Sequence, residues 1–190
     1  SSDTFHSHHD AIELPNGHIL LIAWELKTAE EAVAAGRDPD TVPADGLWSD
    51  HLVEIRPEED GTGTIVWRWH AWDHLIQNRD PELPNFGEPS AHPGRIDINH
   101  FARVASDWHH INSVNHHAGL DQIVLSSRAF NEIWVIDHST TTEQAATGEG
   151  GRAGAGGDLL YRWGNPAAWS FGTDQDQQLF NQHDARWIDG

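Results

Sequence analysis

Three histidine-bearing segments recur in one setting along this chain. The first reads His8-His9-Asp10-Ala11 and passes through Pro15-Asn16-Gly17 into the apolar run His18-Ile19-Leu20-Leu21. The second reads Asp107-Trp108-His109-His110-Ile111-Asn112-Ser113-Val114 and leads to Leu120-Asp121-Gln122-Ile123-Val124-Leu125. The third is Gln182-His183-Asp184-Ala185, followed by Ile188-Asp189-Gly190. A histidine at the same point of each repeated strand-turn-strand unit can be brought to one place. Imidazole titrates near neutral pH, so it serves as a nucleophile or as a general acid and base. Three imidazoles are also a common ligand set for Zn or Cu, so a metal site on His9, His110 and His183 stands as an alternative. His70 and His74 sit at i, i+4 without a third ligand, and a packed aromatic turn is expected there. His116-His117 reads as solvated loop. Asp10 and Asp184 read as turn residues that bond backbone groups rather than as partners orienting the imidazoles.

The elements that must position these residues are mostly strands. Residues 18–24, 51–56 and 64–69 are apolar runs bounded by turn residues, as are 110–115, 121–127, 131–137 and 158–163. Residues 28–36 have a Thr cap, an acidic first turn and a terminal Gly, and predict a short helix. A long polar insertion spans about 78–106, and the Thr- and Gly-rich stretch 139–157 reads as a flexible surface loop. The fold expected is all-β. Two four-strand units align, each ending in an aromatic-Arg-Trp pattern (Trp67-Arg68-Trp69 and Tyr161-Arg162-Trp163), which is the signature of β-propeller blades. At ~40–50 residues per blade the chain spans about two to three blades, with a short helical insertion. Residues 1–190 therefore read as one partial propeller domain, a piece of a longer chain or one that needs partners to close the ring.

The net charge is −19, and the only lysine is Lys27. A duplex-binding surface needs a basic face, so nucleic acid is not an expected partner. Any anion site must be a local pocket of Arg, His and backbone N–H groups. The acidic, lysine-poor composition also suits a salty environment. No apolar run approaches the ~20 residues of a membrane helix. Without cysteine there are no disulfides, thiolate metal sites or thiol nucleophiles.

Several long motifs resemble the bacterial arylsulfotransferase family, the aryl-sulfate sulfotransferases that use no nucleotide donor. They are residues 65–77 (IVWRWHAWDHLIQ), 107–114 (DWHHINSV), 131–142 (NEIWVIDHSTTT), 156–166 (GGDLLYRWGNP) and 182–185 (QHDA). The resemblance implies a six-bladed propeller with its site at the central axis. It implies transfer of a sulfuryl group from an aryl sulfate ester to a phenolic acceptor through a sulfohistidine, with no cofactor and no metal. It implies a periplasmic or secreted setting. Carried onto this sequence, the family's catalytic set falls on His9, on His110 (with His109 its neighbour), on Arg128 at the end of the strand 123–127, and on His183 as nucleophile.

That chemistry suits these residue types. Arg128 offers a planar, permanently charged fork for two sulfuryl oxygens. One imidazole attacks sulfur, a second moves the proton of the leaving and incoming phenols, and a third, kept protonated, adds a donor to the oxygens. Trp108 and Trp187 lie near the motifs and are candidates to flank an aromatic ring. Arg128 has a structural alternative as an ion pair between blades. The third reading of the whole chain is a non-catalytic propeller used for assembly or recognition.

Overall fold

The computed structural model describes residues 4–101 and 106–188. Residues 102–105 of the long insertion, and Asp189 and Gly190 after the third histidine segment, lie outside the described residues. The chain is all-β, built on two antiparallel meanders. The first runs β1 (Phe5–Glu13), β2 (Ile19–Lys27), β3 (Leu47–Pro57) and β4 (Gly63–His70), paired in that order. A short parallel pair follows, β5 (Leu75–Ile76) with β6 (Ile96–Asp97). The second meander is β7 (Ile111–His117), β8 (Gln122–Ser127), β9 (Glu132–Asp137) and β10 (Tyr161–Trp163). Among the described residues neither sheet closes on itself.

The turns follow from their residues. Gly17 takes φ +81° and its N–H donates to Leu14 O at 2.9 Å, closing the β1–β2 hairpin. Asp121 and Asn131 hold the left-handed corners before β8 and β9, a conformation that Asn and Asp tolerate better than most residues. Helix α1 (Ala29–Ala34) starts at a full capping box, Thr28 with Glu31.

The stretch 139–157 is not a loose loop. It forms α2 (Thr142–Ala145), capped by Thr141 and Gln144, with Ala145 fully buried. Trp67 Nε1 donates to Thr140 Oγ1 at 3.1 Å, and Trp69 Nε1 donates to Gly157 O at 2.7 Å. Tryptophan donors on β4 therefore fix a segment whose composition alone looks unstructured.

One core joins the two sheets. Leu20, Ile22, Leu52, Trp67 and Trp69 alternate onto one face of the first sheet, as the two-residue period of a strand requires. Ile111, Val114, Ile123, Leu125, Trp134 and Ile136 come from the second. Side chains of this size each contribute about 1.5–3 kcal/mol on burial. Trp108, expected to flank a ligand ring, is 1% exposed and belongs to this core. His74 is also a core residue: Nδ1 meets Asp158, Nε2 meets Ala145 O, and the ring stacks on Trp69. The packed-turn reading holds there. No helix among the described residues is long and apolar enough to cross a membrane.

Burial carries a pH consequence. His51 and His100 are both pushed down to about 4, chiefly by loss of water, and secondly by His70 beside His51 and by Arg162 near His100. Their folded pKa lies below the unfolded value near 6.5. The unfolded chain therefore takes up protons first as pH falls, and stability is lost between about 6.5 and 4. We expect a lower urea midpoint at pH 5 than at pH 7.5, equivalent to about 1–2 kcal/mol per ring. Equal midpoints at the two pH values would show that these rings are not held neutral.

Candidate active site

Strand β1 lies beside β7, and the segment around residues 181–187 also runs along β7. Polar side chains make these junctions. Asn112 Nδ2 donates to Gln182 O at 2.9 Å, Ala185 N donates to Ser113 Oγ at 2.9 Å, and Trp187 N donates to Asn115 Oδ1 at 3.0 Å. Gln182 Nε2 reaches Ser127 O and Glu132 O at 3.0 and 2.8 Å. Asp10 Oδ2 accepts from Val114 N at 3.1 Å and from Arg186. Asp184 pairs with Arg186 as well. Asp10 thus holds the scaffold through a backbone amide, as expected, whereas exposed Asp184 bonds the Arg186 side chain rather than backbone groups.

The histidines sit at irregularities. β1 breaks register between Ser7 and Ala11, and His9 has φ +52°. β7 breaks register between Ile111 and Ser113, and His110 just before it has φ +51°. His183 is flanked by Asn181 at φ +53° and Asp184 at φ +62°. A bulge re-aims a side chain that a regular strand would send to one face or the other. The left-handed backbone of a non-glycine residue costs about 1–3 kcal/mol and persists where the surroundings enforce it.

These bends bring the three rings together. His9 and His110 have ring centroids 4.6 Å apart, and His183 lies 6.5 Å beyond His110. Each ring is anchored through Nδ1. His9 Nδ1 is 2.7 Å from His8 Nδ1, His110 Nδ1 meets Asp107 Oδ2, and His183 Nδ1 is 3.0 Å from Asn181 O. Asp107 and Asn181 O are acceptors, so His110 and His183 carry their proton on Nδ1 and leave Nε2 with a free lone pair.

The same logic reaches His9 through a relay. His8 Nε2 is 2.9 Å from Asp50 Oδ1, and the His8 ring stacks on Trp24 at 4.0 Å. The approach to Asp50 has poor hydrogen-bond alignment, so its strength is Coulombic. With its proton on Nε2 facing Asp50, His8 accepts at Nδ1 from His9, and His9 Nε2 is also left free.

Asp50 is fully buried. Burial would raise its pKa, but His109 and His8 overcome this and hold the carboxyl below its ordinary range. His9 is pushed down by burial, then by His8 and His110, against the opposing pull of Asp107 and Asp50. It is therefore neutral at neutral pH, and the protonated third imidazole expected from the chemistry is not found at His9.

His109 is a core ring, 0% exposed, packed on Trp108 at 3.9 Å, so the site histidine of this pair is His110. Arg128 is half-buried, and its N–H donates to His110 O at 3.2 Å. No ion-pair or hydrogen-bond partner holds its guanidinium among the described residues, so it is not an ion pair between the sheets there. Trp187 packs on His117 rather than beside the three rings, and the aromatic near His9 is Trp24, 6.4 Å away.

Asp107, Asp50, His8 and Trp24 were not singled out by sequence reasoning. Asp107 alone had a signal, three residues before His110. Asp107→Asn is expected to lower kcat about 10–100-fold with little change in KM, because an amide can offer His110 a donor and so favour the wrong tautomer. Steady-state kinetics check this. An unchanged kcat and pH profile would remove Asp107 as a positioning residue.

A family model described as Arylsulfotransferase (ASST) matches residues 2–151. The chain belongs to this family of transferases. The match includes His9, His110 and Arg128 and ends before His183. No curated protein matches the chain.

Proposed function

We propose that this site transfers a sulfuryl group from an aryl sulfate ester to a phenolic acceptor, with His183 as the covalent carrier. One observation supports the reading above others: His9, His110 and His183 each engage a neighbour through Nδ1, and none of the three has an Nε2 partner among the described residues. In the first half-reaction, the Nε2 lone pair of His183 attacks sulfur while the sulfur–oxygen bond to the aryl group breaks. The phenolate leaves with that electron pair and takes the proton that Nε2 of His110 has accepted from solvent beforehand. In the second half, the acceptor phenol returns a proton to His110 as its oxygen attacks sulfur and the nitrogen–sulfur bond breaks. Asp107 steadies His110 while it is charged, as the carboxylate of a catalytic triad does. His9, kept neutral, leaves the positive charge of the two neighbouring rings to His110. Arg128 is the cation left to hold the sulfuryl oxygens, whose charge resembles that of a transferring phosphoryl group.

A burst experiment tests the scheme. Mixing the protein with p-nitrophenyl sulfate and no acceptor should release one equivalent of nitrophenol quickly and then stall. Slow, linear release without a burst would oppose a covalent carrier.

The metal alternative for these three rings has less support. The histidine and carboxylate group spaced as a ligand set among the described residues is His116, Asp121 and His138, not the three site histidines.

The proposal extends to architecture. The two sheets are read as adjacent blades of a six-bladed propeller of which this chain forms two to three. Two features favour this. The first strands of the meanders, β1 and β7, lie together. The first sheet also carries apolar side chains on its second face, where Leu21, Ala23, Val53, Ile55 and Ile65 line an open depression of about 720 Å³ beside His51, Arg68 and His70. A strand apolar on both faces calls for a layer on each side. A crystal structure of the full-length protein with β1 and β7 lining a central channel is the expected result; their placement on an outer wall would contradict it. A periplasmic or secreted setting is part of the same reading, on the strength of the family alone.

A further inference from the structure

A second cluster of histidines lies away from the three rings, where the β7–β8 turn meets the first sheet. His116, expected to be solvated loop, is instead the sixth residue of β7, and its side chain is only 9% exposed. Its Nε2 lies 3.0 Å from Asp121 Oδ1. His138, just after β9, places Nδ1 2.9 Å from the same oxygen. The ligand atoms of His116, Asp121 and His138 all lie within 4.8 Å of one another.

Behind them stands a second carboxylate. His138 Nε2 is 2.9 Å from Glu54 Oε2 on β3, and the other oxygen of Glu54 meets His18 and Asn16. His138 therefore has a carboxylate at each ring nitrogen. A neutral imidazole has one donor and one acceptor, so one of these contacts needs a second proton or a cation in its place. A carboxylate behind a ligating histidine fixes its tautomer with the lone pair aimed at the metal, and Glu54 is placed to do this for Nδ1 of His138. Arg152 is the other charge nearby, 3.9 Å from the outer oxygen of Asp121 and two-thirds exposed.

We propose that His116 Nε2, Asp121 Oδ1 and His138 Nδ1 form a zinc site, with the fourth position open to solvent. Two imidazoles and one carboxylate suit zinc and disfavour calcium and magnesium, which prefer all-oxygen shells. The three ligands come from the second sheet, and Glu54 ties His138 to the first. Zinc here would pin the two sheets together through His138. Binding would release the proton from Nδ1 of His138.

The test is titration of the whole chain with zinc chloride against a chromophoric chelator, for the native sequence and for His116→Gln, Asp121→Asn and Glu54→Gln. One zinc per chain is expected. His116→Gln and Asp121→Asn should weaken it more than 100-fold, and Glu54→Gln by about 10–100-fold, the range for a partner that orients a ligand. X-ray absorption on the native zinc complex is independent of whether any variant folds, and it should show two imidazoles. Three imidazoles, or undiminished affinity in a folded His116→Gln protein, would move the metal to His9, His110 and His183 and overturn the assignment. Failure of the native chain to bind micromolar zinc would also overturn it.

Discussion

His183→Ala is expected to reduce sulfuryl transfer to the uncatalysed background, and Arg128→Lys to cost about 10²–10³ in kcat. The two losses have different causes. Alanine removes the nitrogen proposed to form the covalent bond, so neither half-reaction of that scheme proceeds. Lysine keeps the charge of Arg128 but loses the planar fork that engages two oxygens at once. His183 is exposed, and among the described residues its side chain makes one hydrogen bond, to its near neighbour Asn181, so its removal should leave the fold intact. Arg128 has no side-chain partner to lose among the described residues. Circular dichroism should match the native protein for both variants while the kinetics do not. Retained turnover in His183→Ala would pass the nucleophile's role to His9 or His110. Retained turnover in Arg128→Lys would mean that a point charge suffices.

The largest stability effect is expected at Glu132, in the second sheet. Its carboxylate is fully buried and accepts from both Arg162 and Trp134 Nε1, the latter at 2.8 Å. Burial pushes its pKa up, and Arg162 then Trp134 pull against that. The Arg162 side chain is 3% exposed. Glu132→Ala would strand that guanidinium in the interior and orphan an indole N–H. Removing one member of a buried pair costs about 3–5 kcal/mol. Glu132→Gln keeps an acceptor for Trp134 and should cost less. Urea denaturation checks the order. An alanine variant as stable as the glutamine variant would show that the ion pair contributes little beyond packing.

The strands were largely legible in the sequence, because alternation and turn residues leave a local pattern. The 51–56 and 64–69 runs are the middles of β3 and β4, which extend further at both ends. The capping box of α1 was equally local. What was not legible depends on contacts distant in sequence. Nothing near Asp50 announces that it meets His8 and His109, and nothing in 139–157 announces that Trp67 and Trp69 will hold it. The positive φ at His9 and His110 was equally hidden, because histidine carries no backbone signal of the kind glycine does. Recurrence of the histidine motif did point to His9, His110 and His183, since equivalent positions in repeated units share a direction. It could not show which of His109 and His110 faces the other rings. The register break beside His110 decides that.

In the proposed scheme the sulfuryl group rests on His183 between the two half-reactions. The most direct measurement of this is mass-spectrometric peptide mapping after brief exposure to an aryl sulfate without acceptor. A sulfuryl-mass adduct is expected on the peptide that contains His183, lost when a phenol is added and absent from His183→Ala. An adduct on His9 or His110, or turnover with no adduct on any histidine, would contradict it.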